Sequence, residues 1–190
     1  LKLLKNKDYT ILNLDKINYA SNTSLNKKFL KNKNYKFEKV DIRNSKKVEK
    51  SILNFEPNYI FHLAAESHVD RSIDGPKIFI ESNIIGTFNM LEGTRKYLST
   101  KKNSNKFIRI HHISTDEVYG DLDKTKNKFK ETTSYNPSSP YSASKASSDH
   151  LVRSWGRTYN LPYIITNCSN NFGPHQFPEK FIPHIVLCLL

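Results

Sequence analysis

Glycine is scarce in this chain: the 190 residues hold six, and none of them precedes Asp15. That excludes, before Asp15, a glycine-rich turn whose backbone amides cradle phosphates. Cysteine is scarcer. Cys168 and Cys188 lie in apolar surroundings without metal-ligand spacing, as in a reduced, intracellular protein. The seven histidines form no ligand set: His111 and His112 are adjacent, so on a strand they point to opposite faces and cannot share one ion. No metal is expected. Long apolar runs are missing too. None approaches the ~20 residues of a membrane-spanning helix, and no basic-then-apolar signal opens the chain. No membrane partner is expected, and the location expected is cytoplasmic. The first residue is not Met, and the chain closes on an apolar run over residues 185–190. Both ends read as cut.

Acidic residues are outnumbered by basic ones, 18 to 30, for a net charge of +12. Such a balance suits nucleic acid, yet the lysines at positions 27, 28, 31 and 33 are interleaved with asparagine and form no helical stripe. Aromatics spaced to stack bases are missing. A solvated lysine-rich surface is the expectation, and no nucleic-acid partner. Apolar residues at 37% and aromatic residues at 12% are enough for one domain with a hydrophobic core and argue against disorder.

Apolar, β-branched runs alternate with helical patterns. Strands are predicted at residues 10–15, 35–40, 59–63, 107–113 and 161–166. Helices are predicted at 44–55, 78–98 and 141–159, with a last one starting near Pro178 or Glu179. Strands separated by helices of this length imply a doubly wound parallel sheet covered on both faces. Polar, motif-like segments follow the strands at Asp15, 64–70, 114–120 and 167–174. Ligands of open α/β sheets bind at that carboxyl edge.

Tyr141-Ser142-Ala143-Ser144-Lys145 sets Tyr and Lys at i and i+4, neighbours on one helical face. A tyrosine of pKa near ~10 is a poor base at neutral pH, and a cation one turn away is expected to lower it. Alone, the spacing also fits an ordinary amphipathic helix. Upstream, a strand runs into Ser114-Thr115-Asp116-Glu117. Adjacent carboxylates there suit an elimination, which needs an acid for the leaving group and a base for the carbon proton. The same residues would also serve as a helix or turn cap.

Ser114-Thr115-Asp116-Glu117-Val118-Tyr119-Gly120, followed by Tyr141 to Lys145, resembles the extended short-chain dehydrogenase/reductase superfamily. Within it, His62-Leu63-Ala64-Ala65-Glu66-Ser67-His68-Val69-Asp70-Arg71-Ser72-Ile73 resembles the bacterial dTDP-glucose 4,6-dehydratases. So do residues 138–150 and 166–183. The similarity covers essentially the whole chain and is loose at 16–34 and 120–134. It implies a Rossmann-like fold, the cofactor NAD, and conversion of dTDP-glucose to its 4-keto-6-deoxy product. Tyr141 would deprotonate the sugar C4 hydroxyl as NAD takes the hydride, with Lys145 tuning Tyr141 and binding the nicotinamide ribose. Thr115 would hydrogen-bond the C4 oxygen. Glu117 would remove the C5 proton, and Asp116 would protonate the C6 hydroxyl as it leaves. The hydride then returns to C6.

By the same resemblance Asp15, Lys16 and Asn18 would hold the adenosine ribose, the carboxylate favouring NAD over NADP. Asp41 and Ile42 would flank the adenine, and Leu63, Ala64, Ala65 and Ser67 would pass along the dinucleotide. Ser82 stands where the family has threonine, and Asn171 would approach the nicotinamide. Ser67, Thr115, Asn170 and Lys180 would face the sugar nucleotide, Lys180 near its pyrophosphate. Two departures stand out: the first strand with its glycine turn, and the carboxyl-terminal substrate domain, are both expected to be lacking. Residues 1–190 thus read as an incomplete NAD-binding domain, with residues 1–7 as the end of the first helix. The long helices suggest a homodimer when complete. Alternatives are a UDP-glucose 4,6-dehydratase, a related epimerase or decarboxylase, or an inactive NAD-binding fragment.

Overall fold

β-Branched and aromatic residues mark five strands: β1 (Ile11–Asp15), β2 (Tyr35–Lys39), β3 (Tyr59–His62), β4 (Arg109–Thr115) and β5 (Tyr163–Cys168). The structure, a computed structural model, describes residues 3–100, 107–122 and 128–190. Seven α-helices join the strands among those residues: α1 (Thr23–Phe29), α2 (Ser45–Phe55), α3 (Val69–Asp74), α4 (Pro76–Phe79), α5 (Gly86–Ser99), α6 (Pro140–Tyr159) and α7 (Phe181–Leu189). No helix among them is long and apolar enough to cross a membrane.

The chain forms two compact units, residues 1–40 with 170–190, and residues 41–169. In the first, β1 and β2 pair in parallel, Ile11 opposite Tyr35 and Asp15 opposite Lys39. In the second, β4 is central, parallel to β3 on one side and to β5 on the other. The parallel pairing expected from the alternation is present in both units. Ile60 and His62 of β3 face the core, but Tyr59, Phe61 and Leu63 are 51–67% exposed.

Local chemistry explains most boundaries. Asn44 caps α2 by accepting from the Lys47 amide at 3.0 Å. Ser139 and Ser142 form a reciprocal capping box that starts α6, with Pro140 in its first turn. β5 starts at Tyr163, two residues later than expected, because Pro162 has no N–H; its carbonyl still accepts from Ile110 at 3.0 Å. β4 likewise runs two residues beyond the expected end, since Ser114 and Thr115 still pair with Asn167 and Cys168. The sequence pattern missed α1 and α3, both short. Of the expected helix end at residues 1–7, Leu1 and Lys2 lie outside the described residues and Leu3–Lys5 form one 3-10 turn.

The predicted helix over 78–98 is interrupted. Between α4 and α5, Ile80–Ile85 is π-helical. The hydroxyls of Thr87 and Ser148 both donate to the Asn83 carbonyl, each at 2.6 Å. A carbonyl so occupied by side chains is a physical cause for a π-bulge. α5 then packs on α2, where Gly93 lies so close that a Cβ would come within 3.1 Å of Ile52. Val48, Phe79, Leu91, Tyr97, Ile108 and Ile110 are buried in this unit.

Candidate active site

The catalytic candidates gather in the unit of residues 41–169, where the end of β4 meets the first turns of α6. Thr115 ends β4 and caps the 3-10 turn Asp116–Tyr119, its Oγ1 accepting from the Glu117 amide at 3.2 Å. The residue expected either to cap a turn or to hold the substrate does cap one. The Tyr141 phenol lies close enough to Thr115, Glu117 and Asp116 for each of them to shift its pKa. Thr115, Asp116, Glu117 and Tyr141 therefore form one cluster.

Lys145 departs from expectation. It is 5% exposed, and its Nζ donates to the Ile113 carbonyl at 2.7 Å. Burial lowers its pKa to about 8, opposed by the negative charge of Asp149. The phenol of Tyr141, expected to be lowered by this cation, is instead pushed up to about 12. Burial is the largest cause and the Glu117 carboxylate the next; Thr115 works the other way. Desolvation and two carboxylates outweigh a cation whose nearest partner is a carbonyl.

Buried polar groups hold this cluster in place. The Asn83 Oδ1 accepts from the Glu66 amide at 2.8 Å, and its Nδ2 donates to the Glu66 carbonyl at 3.0 Å and to Ser144 Oγ at 2.8 Å. One amide thus joins the loop after β3, the π-turn and α6. Losing a partner in such a buried set costs about 1–3 kcal/mol. Ser72 Oγ accepts from the Tyr141 amide at 3.1 Å. Asp149, four residues after Lys145, accepts from Ser114 and Tyr135. Motif spacing did not reveal Asn83, Asn167 or Asp149. Only Asp149 carried a signal, its i+4 relation to Lys145. The two adjacent histidines do take opposite faces: His112 is fully buried, while His111 is half-buried and bonded to Thr166.

The candidates for cofactor and substrate are divided between the units. In the unit of residues 41–169, Leu63, Ala64 and Ser67 are exposed in the loop after β3, with Ala65 half-buried. Ser82 is buried within the π-turn. The Arg43 guanidinium donates to both oxygens of Asp41, as close as 2.7 Å, and to Glu81 at 3.0 Å. These residues line an open pocket of about 500 Å³ with Asn44 and Ile85. Ile42 is buried against α5, where a Cβ on Gly86 would collide with its side chain.

The other unit holds Asp15, Lys16, Asn18, Asn170, Asn171 and Lys180. Asp15 Oδ1 accepts from the Ile17 amide at 2.6 Å, and Asn18 Oδ1 from Ala20 at 3.0 Å, so both shape the turn after β1. Asn170 and Asn171 are exposed, and the Asn171 carbonyl accepts from Gln176 Nε2 at 2.9 Å. Lys180 is the cap residue of α7.

Parallel strands joined by helices, with polar side chains gathered at the carboxyl end of the central strand β4, define a Rossmann-like fold. Residues 1–189 match the family described as GDP-mannose 4,6 dehydratase, and the chain belongs to that family. It is 53% identical over 197 residues to the dTDP-glucose 4,6-dehydratase of Salmonella typhimurium, covering 97% of this chain and 54% of that protein. Among solved structures it resembles a dTDP-glucose 4,6-dehydratase double mutant of Streptomyces venezuelae with NAD bound. That match has a TM-score of 0.87 and 36% identity, over 99% of this chain and 55% of the other. The enzyme of the same name from Bacillus anthracis, in complex with NAD, matches with a TM-score of 0.83 and 40% identity, over 98% and 55%. The chain spans about half the length of the curated relatives it matches.

Proposed function

We propose that this chain is the NAD-binding, catalytic portion of a dTDP-glucose 4,6-dehydratase. The observation that carries the reading is the gathering of Thr115, Asp116 and Glu117 at the end of β4 around the buried Tyr141, whose pKa all three shift, with Lys145 held to the same strand. An elimination needs a proton acceptor, a leaving-group acid and a carbon base within reach of one sugar, and these residues supply all three. An epimerase would need the tyrosine but not the paired carboxylates.

The residues present suit NAD. A carboxylate ends β1, the small Ala64 and Ala65 leave backbone accessible after β3, and Lys145 supplies a buried ammonium. NAD, when bound, supplies a positive charge and a hydride acceptor that later returns the hydride. Tyr141 rests protonated. Its proton would first leave to solvent, the phenolate being favoured by the Lys145 ammonium and the positive charge NAD would bring, and the phenolate would then accept the C4 hydroxyl proton. Thr115 holds the C4 oxygen by its hydroxyl. Glu117 takes the C5 proton, acidified by the C4 ketone, and Asp116 protonates the departing C6 oxygen. By the family resemblance, Asp15, Lys16, Asn18, Asp41, Ile42, Leu63, Ala64, Ala65, Ser67, Ser82 and Asn171 are the residues that would hold NAD, and Ser67, Thr115, Asn170 and Lys180 those that would hold the substrate.

A homodimer in the cytoplasm, without nucleic acid or membrane as partner, completes the proposal. Phe88 of α5 and Trp155 of α6 meet edge to face at 5.8 Å, and Trp155 meets Tyr159 at 5.6 Å. Such an aromatic stripe across two neighbouring helices supports a helical bundle between subunits. The test is turnover by the full-length protein with NAD. Formation of a 4-keto-6-deoxy product from dTDP-glucose is expected. Return of a C4 epimer with C6 still hydroxylated would overturn the reading.

A further inference from the structure

Asp149 is the most completely buried carboxylate of its unit, with no exposed surface, and the mechanism above gives it no task. Its Oδ2 accepts from Ser114 Oγ at 2.8 Å, from Tyr135 OH at 2.8 Å and from Asn167 Nδ2 at 3.4 Å. Its Oδ1 lies 3.1 Å from His112 Nε2. Burial works to raise its pKa, but the hydrogen bonds from His112, Ser114 and Tyr135 prevail, and the net shift is downward. His112 is shifted down, first by burial, and stays neutral. The group is therefore a buried anion facing a neutral imidazole rather than an imidazolium.

Two consequences follow for the site. Asp149 sits on α6, eight residues after Tyr141, while its donors sit on β4, on β5 and in the loop at Tyr135. Ser114 immediately precedes Thr115, and the Asn167 amide that donates to Asp149 also donates to the Thr115 carbonyl at 3.2 Å. The carboxylate thus joins the helix bearing Tyr141 and Lys145 to both backbone neighbours of the Thr115–Glu117 turn. Its charge also acts on Lys145, one helical turn away. The other titratable and charged groups that interact with that ammonium are His62 from β3, His112 from β4 and Cys168 from β5, with Tyr141 one turn earlier on α6. Asp116 and Glu117 act on Tyr141 from the turn, and Arg153 feels Asp149 from the far side.

We propose that Asp149 is a positioning residue of the site: its buried carboxylate locks α6 to the end of β4 and keeps Lys145 cationic while the Tyr141 proton moves. This rests on the dehydratase reading. Tyr141, Thr115 and Glu117 touch the sugar; Asp149 acts only through Lys145 and Ser114.

The test is the pH profile of kcat for dTDP-glucose in the full-length protein, compared between wild type, Asp149→Asn and Asp149→Glu. Loss of the Lys145 proton sets the alkaline limb. The Asn variant keeps the shape and loses the charge, so its alkaline limb is expected to fall by about one pH unit, with KM little changed. The Glu variant keeps the charge and disturbs the packing, so kcat drops while the limb stays in place. A merely structural role would lower kcat in both variants and move neither limb, which overturns the proposal. If the Asn variant does not fold, the Glu variant decides: a limb that falls although the charge is retained overturns the proposal as well. A wild type that makes no 4-keto product removes the dehydratase reading itself, whereas wild-type turnover with an unmoved limb removes only the role of Asp149.

Discussion

Lys145 Nζ donates to the Ile113 carbonyl at 2.7 Å, so the cation of the Tyr–Lys pair is anchored to the strand that delivers Thr115. The ammonium gains a partner inside a dry site, and its position along α6 becomes tied to the register of β4. Tyr141 is meanwhile raised first by burial and then by the carboxylate of Glu117 beyond Thr115. α6 and the turn after β4 are coupled by charge as well as by contact.

That coupling separates the roles of Tyr141 and Glu117. In the full-length protein, Tyr141→Phe is expected to abolish enzyme-bound NADH and every later step. Glu117→Gln should still form bound NADH, while exchange of the C5 hydrogen with deuterated solvent falls by ~10²–10⁴, the usual worth of a positioned acid–base group. Glu117 raises the Tyr141 pKa, so removing its charge should also move the acid limb of NADH formation to lower pH. Rapid C5 exchange in Glu117→Gln would take Glu117 out of the base role.

Acid should weaken this fold well above the carboxylate range. His62 bonds to Thr87 at 2.8 Å, and burial first, then the nearby His112 and Lys145, hold its pKa well below 6.5. His112 is lowered as well. Both stay neutral in the folded chain while the unfolded chain binds their protons, so stability is full above about pH 6.5 and is lost as pH falls below it. Roughly 1–2 kcal/mol should disappear between pH 6.5 and 5.5. Urea midpoints at the two values measure it, and His62→Asn should flatten the dependence. An unchanged midpoint in the parent chain would count against buried, neutral histidines.

Gly120 closes the Asp116–Tyr119 turn at φ 90°, and a Cβ there would collide with the Asn136 carbonyl oxygen. Its own amide donates to the Glu117 carbonyl at 3.2 Å. Gly120→Ala should therefore cost roughly 1–3 kcal/mol, through both a disfavoured backbone and displacement of the Asn136 loop. Thermal melting reads the loss. Gly173→Ala, with open space around it, should melt nearly as the parent does.

Much of the local plan was legible. The i, i+4 spacing of Tyr141 and Lys145 needs only a helix to set both on one face, and residues 140–159 form one. Apolar runs located all five strands, with differences of one or two residues at their ends, as where Pro162 delays β5 and the pairing of Ser114 and Thr115 extends β4. The helix over 78–98 could not be read correctly, because its π-turn depends on Thr87 and Ser148 reaching one carbonyl, and Ser148 comes from another helix.

The motif spacing by itself placed Tyr141 and Lys145 on one helical face and Thr115, Asp116 and Glu117 at the carboxyl end of a parallel strand. Short-range periodicity settles such things, because backbone geometry repeats every few residues. The protonation states were decided only by the tertiary structure. Tyr141 is raised rather than lowered, Lys145 leans on a carbonyl, and Asp149 is an anion with no exposed surface. Each depends on desolvation and on partners distant in sequence, Ser114 to Asp149 and Asn83 to Ser144 among them, that meet only when the strands and helices pack.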